Sequence, residues 1–125
     1  MAASKPFNAS TDIPNLSNKV ILITGGTAGL GRETLVTLAK HNPSQIYFTG
    51  RNASSAQETI SQAKEIAPNV SVKFLECDQM SLASVQAVAQ KFLKESQRLD
   101  LLLCVAGIMA LPPKLTKDGY EVCRA

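Results

Sequence analysis

The stretch TGGTAGLG at residues 24–31 decides the fold, because it stands between a short apolar run and an amphipathic segment. The run before it, KVILIT at residues 19–24, is rich in β-branched residues, as in a buried strand. Apolar residues then recur at helical spacing over 30–41. Glycine inside a helix costs about 0.5 to 1 kcal/mol relative to alanine, so a glycine cluster at this junction needs a compensating reason.

The same order of strand and helix repeats along the chain. Three further apolar runs predict strands: QIYFT at 45–49, VSVKFLE at 70–76 and DLLLCV at 100–105. After the second run, Ser55 and Glu58 have the spacing of a capping box, which predicts the start of a helix at Ser55. After the third, Ser81 is the predicted cap of another helix.

Strands alternating with helices predict a parallel sheet with helices on both faces. The fold class is therefore α/β, a doubly wound parallel sheet, for which the Rossmann-type fold has the strand order 3-2-1-4. Residues 1–17 are polar and aperiodic and are interpreted as a flexible lead-in, and residues 18–125 as one domain. A complete sheet of this kind has six strands, so we expect the domain to be truncated on its C-terminal side, with the fourth strand as an open edge.

Composition excludes several classes of protein. The net charge of +3 is dispersed over 13 basic and 10 acidic residues, which disfavours nucleic-acid binding. No apolar run is long enough to span a bilayer, and the N-terminal residues lack the apolar core of a signal peptide. We therefore expect an intracellular protein, in the cytoplasm. Cys77, Cys104 and Cys123 lack metal-ligand spacing and are interpreted as buried free thiols, so no metal site is predicted.

The unusual residues of the chain follow its predicted strands. In a parallel sheet the carboxyl ends of the strands meet at one edge, where ligands bind. The segments at that edge are Thr24-Gly25, Gly50-Arg51-Asn52, Cys77-Asp78 and Ala106-Gly107. We expect these four loops to line one crevice.

The glycine-rich loop is interpreted as a phosphate cradle. It leads into a helix N-terminus, where unpaired N–H groups and a partial positive charge favour an anion. The alternative is that the glycines only make a tight turn and let helix and strand pack closely. The loop does not match the P-loop of nucleoside triphosphatases. A P-loop has lysine followed by serine or threonine at the positions that Arg32 and Glu33 occupy here.

The pattern T-G-x-x-x-G-x-G resembles the cofactor loop of the short-chain dehydrogenase/reductase family. Over residues 19–122 the later motifs follow in the family's order: Asp78 matches its adenine-contacting acid, and CVAG at 104–107 resembles its N-A-G segment, with Val105 in place of asparagine. LTKDGYE at 115–121 is most similar to the retinol dehydrogenase and WW-domain oxidoreductase branch.

The resemblance implies an oxidoreductase that transfers hydride between a nicotinamide dinucleotide and a small carbonyl or alcohol substrate. It implies that Gly25, Gly29, Leu30 and Gly31 surround the pyrophosphate and that Asp78 lies at the adenine. Asp78 also has an alternative role, as the cap of the turn before the third helix of the strand–helix alternation. The full set of cofactor-binding candidates is Gly25, Thr27, Gly29, Leu30, Gly31, Arg51, Asn52, Asp78, Ala106 and Gly107.

Arg51 favours NADP(H) over NAD(H). A carboxylate near the end of the second strand would bind the ribose 2′-hydroxyl of NAD, yet no acidic residue occurs between Glu33 and Glu58. Arg51 stands there instead, and a guanidinium suits a 2′-phosphate through paired, charge-assisted hydrogen bonds. The alternative is an exposed charge at a strand end without a ligand.

No catalytic residue is predicted in this chain. The family uses a tyrosine with a lysine four residues later, and a serine, for proton transfer and substrate positioning. Tyr47 and Tyr120 are followed at that distance by Arg51 and Arg124, so neither pair matches. The chain alone is therefore expected to be inactive.

Three hypotheses stay open. In the first, the chain is the cofactor-binding portion of an oxidoreductase. In the second, it is a noncatalytic NADP-binding fragment that sequesters the cofactor or pairs with a full-length relative through its open fourth strand. In the third, it is a nonfunctional truncated product.

Overall fold

The computed structural model describes residues 4–108 and 112–122, and Cys123 and Arg124 lie outside them. The described residues form four helices and four strands. In chain order they are α1 (Ala9–Asp12), β1 (Val20–Thr24), α2 (Gly29–Ala39), β2 (Gln45–Gly50), α3 (Ala53–Ile66), β3 (Ser71–Glu76), α4 (Leu82–Glu95) and β4 (Leu101–Cys104).

The four strands form one parallel sheet in the order β3-β2-β1-β4. Ile21 of β1 is aligned with Ile46 of β2 on one side and with Leu101 of β4 on the other. The strands and their order are confirmed as predicted. The carboxyl ends of all four strands therefore meet at one edge of the sheet.

Successive residues of a strand point to opposite faces, and the core follows this rule. Ile46 and Phe48 of β2 pack in a core cluster with residues of α2 and α3. Tyr47, between them, packs on the opposite face with Phe92 of α4, their ring centroids 4.9 Å apart in an edge-to-face arrangement. The central strands are covered on both faces, so the fold is doubly wound.

The cover is incomplete at β4. Leu102 is 54% exposed, and Leu101 is exposed as well. Within the described residues, β4 pairs only with β1. The expectation that helices cover both faces of the whole sheet is therefore wrong at this strand.

The N-terminal segment enters the core earlier than expected. Residues Ala9–Asp12 form one helical turn, in which the side chain of Asn8 accepts a hydrogen bond from the Ser10 N–H. Leu16 is buried among the core residues, and its N–H donates to the carbonyl of His41 at 2.8 Å. The folded unit thus includes Leu16, which the predicted lead-in of residues 1–17 did not anticipate.

Helix α3 begins before the predicted position. Asn52 is its N-cap: Oδ1 accepts hydrogen bonds from the N–H groups of Ser54 and Ser55 at 3.0 and 3.1 Å. Ser55 lies inside the helix, so the predicted capping box there is wrong. The predicted cap of α4 is confirmed, since Ser81 Oγ accepts from the Ser84 N–H.

The thiols differ in exposure. Cys77 is buried, as predicted, whereas Cys104 at the end of β4 is exposed. Because β4 lacks cover on one side, the prediction of a buried thiol is wrong for Cys104. No helix in the described part of the chain has the length and hydropathy needed to cross a membrane.

Candidate functional site

A cleft of about 700 Å³ opens at the carboxyl edge of the sheet. All four strand-end loops contribute to it, as predicted. Nine of the ten candidate residues line the cleft: Gly25, Thr27, Gly29, Leu30, Gly31, Arg51, Asp78, Ala106 and Gly107. The structure therefore brings together residues that are far apart in the sequence, such as Gly25 and Gly107.

Asn52 is the exception among the candidates. It is not part of the cleft lining, and its side-chain oxygen caps α3. Its carboxamide is directed to the helix that follows it, and its place beside the cofactor stays a prediction.

The glycine-rich loop packs closely on itself. A Cβ atom on Gly31 would overlap the carbonyl oxygen of Gly25, so no larger residue fits at position 31. Gly29 is different: its φ of 56° favours glycine, and no heavy atom lies within 4 Å of the place a Cβ would take. The open side of Gly29 faces free space, and a ligand could approach the backbone there.

Five successive N–H groups of this loop lack a partner among the described residues. From Thr27 to Gly31, no backbone N–H donates a hydrogen bond to another residue in the described ranges. Ala28 is the N-cap of α2 and supplies no side-chain acceptor. The first turn of a helix leaves such donors unsatisfied, and its dipole makes the position favourable for an anion. The arrangement can therefore bind a phosphate group.

Thr24 ties the loops after β1 and β4 together. Its Oγ1 accepts hydrogen bonds from the N–H groups of Val105 and Ala106, at 3.1 and 3.2 Å. Sequence reasoning missed this role and treated Thr24 only as the end of a strand. The signal was present, because a parallel pairing of β1 with β4 sets a threonine hydroxyl beside the end of the fourth strand.

Two more residues that sequence reasoning missed lie behind the glycine-rich loop. Thr59 of α3 is fully buried, and its hydroxyl donates to the carbonyl of Gly26 at 3.0 Å. Arg32 Nε donates to the same hydroxyl at 3.0 Å, and Arg32 also contacts Glu58 at 3.2 Å. Local sequence spacing does not predict the contact between Arg32 and Thr59, since the two residues are 27 positions apart.

Arg51 stands at the rim of the cleft, at the end of β2. Its side chain is exposed, and Nη1 lies 3.8 Å from Met80 Sδ. Within the described residues, no carboxylate lies in ion-pair distance of this guanidinium. The charge of Arg51 is therefore available to an anionic ligand.

Asp78 follows β3, caps a turn and lines the cleft. Its Oδ1 accepts from the Met80 N–H at 2.9 Å, which closes a turn before α4, and the residue also lines the cleft. Lys117 Nζ lies 3.9 Å from Asp78 Oδ2. The turn capping thus orients Asp78 without removing it from the cleft.

Residues 115–121 form a turn that docks on the loop before α4. The Lys117 N–H donates to the carbonyl of Met80 at 3.0 Å. Asp118 Oδ2 accepts from the N–H of Leu82 at 2.7 Å, at the N-terminus of α4. A carboxylate there is favoured by the helix dipole. This turn fixes one wall of the cleft beside Asp78.

The Cys77 thiol has a raised pKa. Burial raises its pKa above the usual range, the negative charge of Asp78 raises it further, and a hydrogen bond with Ser84 opposes the two. Since the thiolate is the reactive form, a raised pKa keeps Cys77 neutral and unreactive near pH 7. Cys77 therefore lines the cleft as a neutral thiol and not as a nucleophile.

Comparisons with known proteins agree with this geometry. The sequence model of the short chain dehydrogenase family matches residues 19–122. An uncharacterized oxidoreductase of Schizosaccharomyces pombe is 37% identical over 111 residues, which are 89% of this chain and 32% of that protein. Human polyprenol dehydrogenase is 36% identical over 108 residues, 86% of this chain and 32% of that enzyme. The chain thus spans about a third of the length of these relatives.

Solved structures share the fold. A short chain dehydrogenase of Shigella flexneri, crystallised in complex with NADP, superposes with a TM-score of 0.68 at 27% sequence identity. The match covers 77% of this chain and 41% of that one. The partial sheet described above corresponds to part of a larger dehydrogenase fold.

Proposed function

Because this chain belongs to the short chain dehydrogenase family, we propose that its cleft binds NADP(H) and forms the cofactor-binding portion of an oxidoreductase. One observation carries the proposal. The N–H groups from Thr27 to Gly31 have no partner among residues 4–108 and 112–122, and they lie at the mouth of a cleft lined by all four strand-end loops. A similar fold from Shigella flexneri was crystallised with NADP, which supports the choice of ligand.

The parts of the dinucleotide would be held by different loops. The pyrophosphate would lie against the amides of the glycine-rich loop, where backbone and phosphate can come close at Gly29. Asp78, oriented by its own turn, would lie at the adenine. Ala106, whose N–H donates to Thr24 Oγ1 of β1, and the following Gly107 would pass beside the nicotinamide half.

Arg51 supports NADP(H) over NAD(H). Its guanidinium has no carboxylate partner in the part of the chain that the structure describes, and it stands where an NAD site needs an acid. Charge-assisted hydrogen bonds to a 2′-phosphate contribute about 1.5 to 3 kcal/mol each. The preference for NADPH over NADH is therefore on the order of tenfold to a hundredfold.

The bound cofactor would donate or accept a hydride, and the substrate would be a small carbonyl compound or alcohol. Hydride transfer also needs a group that donates or accepts a proton. Tyr47 cannot serve, because it is buried in ring contact with Phe92. Tyr120 is 64% exposed in the turn of residues 115–121 and lacks the lysine partner of the family's motif. We propose that these 125 residues bind cofactor and do not turn over substrate by themselves.

A second function is favoured by one observation. The exposed Leu101 and Leu102 of β4 leave an apolar strand edge that can pair with another chain. A noncatalytic NADP-binding fragment could use this edge to associate with a partner. A nonfunctional truncated product would bind neither cofactor nor partner. The cytoplasmic location expected from the sequence stays a prediction.

Titration of the purified chain with NADPH and with NADH tests the main proposal. We expect saturable binding of NADPH, weaker binding of NADH, and no oxidation of NADPH with a panel of aldehydes and ketones. Absence of binding to both cofactors would overturn the proposal, and turnover would overturn the statement that the chain is inactive. Sedimentation velocity over a range of concentrations separates a monomeric binder from a fragment that pairs through β4.

A further inference from the structure

The glycine-rich loop is held from behind by a buried hydrogen-bond network. Thr59 Oγ1 donates to the carbonyl of Gly26 at 3.0 Å and accepts from Arg32 Nε at 3.0 Å. The carbonyl of Ser55 lies 3.3 Å from the same hydroxyl, but it already accepts from Arg32 Nη2 at 3.1 Å. We therefore assign the single hydroxyl proton of Thr59 to the hydrogen bond with the carbonyl of Gly26.

Arg32 extends this network to the next peptide group. Its Nη2 also donates to the carbonyl of Thr27, and its side chain is 17% exposed. The N–H of Gly26 donates to the carbonyl of Thr49 at 3.0 Å on the other side. The loop backbone is thus fixed at Gly26 and Thr27 by groups from α2, α3 and β2. We refer to Thr59 and Arg32 together as the loop brace.

The loop brace decides which way the peptide groups face. All peptide bonds in the described residues are trans, so the C=O and N–H of one peptide group point in opposite directions. The carbonyls of Gly26 and Thr27 point inward, to Thr59 and Arg32. The N–H groups of Thr27 and Ala28 therefore point away from the loop brace, on the side where these residues line the cleft.

We propose that Thr59 and Arg32 are positioning residues, an inference that rests on the proposed binding of NADP(H). They orient the glycine-rich loop so that its N–H donors face the pyrophosphate. If either peptide group rotated by half a turn, a carbonyl oxygen would face the phosphate instead of a donor. An oxygen dipole facing an anion is repulsive, so the orientation of these two groups controls the affinity of the site.

The experiment measures NADPH affinity of the full chain by isothermal titration calorimetry, together with thermal unfolding in the absence of cofactor. Thr59→Val removes the hydroxyl and keeps the shape, Thr59→Ser keeps the hydroxyl, and Arg32→Lys keeps the charge but loses the forked contacts. Glu58→Gln removes the ion pair of Arg32 and leaves the loop brace in place. Thr37→Val is a matched threonine control on α2.

We expect Thr59→Val and Arg32→Lys to weaken NADPH binding roughly three- to tenfold, the equivalent of one or two lost hydrogen bonds. Thr59→Ser, Glu58→Gln and Thr37→Val should bind like the unmodified chain. A purely structural role would lower the unfolding temperature and leave the affinity of the folded fraction unchanged. That result for both Thr59→Val and Arg32→Lys would overturn the proposal.

A readout without cofactor separates this inference from the proposed function. Backbone ¹⁵N relaxation of the free chain reports the order of the Thr27 and Ala28 amides. We expect lower order at both in Thr59→Val and in Arg32→Lys, and no change in Glu58→Gln. If the unmodified chain binds no cofactor, the proposed function fails and these amides still test the loop brace; unchanged order in both variants would overturn it.

Discussion

The carbonyl oxygen of Gly25 occupies the position that a side chain on Gly31 would need, so the start of α2 and the end of β1 are in direct backbone contact. Gly31→Ala should therefore force the two elements apart. We expect a loss of about 3 kcal/mol in the free energy of unfolding, at the upper end of the usual cost of overpacking. Urea denaturation measures it.

Gly107→Ala is the matched control for stability, because nothing lies within 4 Å of a Cβ there and its φ is not positive. This variant should unfold like the unmodified chain. Equal stability of Gly31→Ala and Gly107→Ala would contradict the close contact.

Arg51→Ala should reduce the preference for NADPH. Removing the guanidinium at the rim of the cleft would delete the proposed charge-assisted bonds to the 2′-phosphate, so NADPH affinity should fall about tenfold to a hundredfold while NADH affinity stays the same. Calorimetric titration with both cofactors measures this. Lys64→Ala removes an exposed cation from the last turn of α3, at the far end of the helix, and should change neither affinity. A parallel loss of both cofactors in Arg51→Ala would speak against recognition of the 2′-phosphate.

Asn52→Ala should lower stability without changing cofactor affinity. Its side chain caps α3, and loss of an N-cap costs about 1 kcal/mol. Ser55→Ala, at the position that sequence reasoning chose for the cap, should have little effect. Chemical denaturation and NADPH titration of both variants provide the check. Weaker NADPH binding by Asn52→Ala would instead support the role beside the cofactor that is predicted from the sequence.

Asp100 should make stability depend on pH in the acid range. A hydrogen bond from Arg98 and another from the Val20 N–H hold the pKa of its carboxyl below the ordinary value of 3.8. The ionised form therefore stabilises the fold above pH 3.8, and this contribution is lost as the pH falls through the lower folded-state pKa. Asp100→Asn should be less stable than the unmodified chain at pH 7. The difference in the free energy of unfolding between the two should shrink as the pH falls below 3.8. Urea denaturation at several pH values tests this, and a constant difference would refute it.

Asp118→Ala should loosen the turn of residues 115–121. Its carboxylate accepts from the Leu82 N–H at the N-terminus of α4, and such a contact is worth about 0.5 to 2 kcal/mol. We expect lower stability and faster amide exchange at Leu82. Glu121→Ala, in the same turn, is the control, and exchange at Leu82 that is equally slow in both variants would contradict the docking.

The sequence predicted the parts of the fold that local patterns control. Continuous apolar runs and the glycine cluster between β1 and α2 were enough for the strands and the cleft at their ends, and the strand order followed from the known order of the Rossmann-type fold. The helix start at Asn52 was missed because Asn52 and Ser55 are both good caps, and only the tertiary position of the chain selects between them.

The contacts that were missed are nonlocal. Thr59 reaches Gly26 across 33 residues, and Arg32 reaches Thr59 across 27, so no spacing rule could reveal either. The exposure of Cys104 depends on what packs beside β4, which the residues around it do not specify. Leu16 is buried because it meets the end of α2, a contact that the polar composition of its neighbours concealed.

In the proposed complex, backbone amides between β1 and α2 would hold the pyrophosphate of NADP(H). An NMR titration of the ¹⁵N-labelled chain with NADPH observes those amides one by one. We expect large, saturable shifts at the amides from Thr27 to Gly31, with smaller changes in α3 and β3. Unchanged amide resonances from Thr27 to Gly31 at saturating NADPH would rule out the proposed phosphate site.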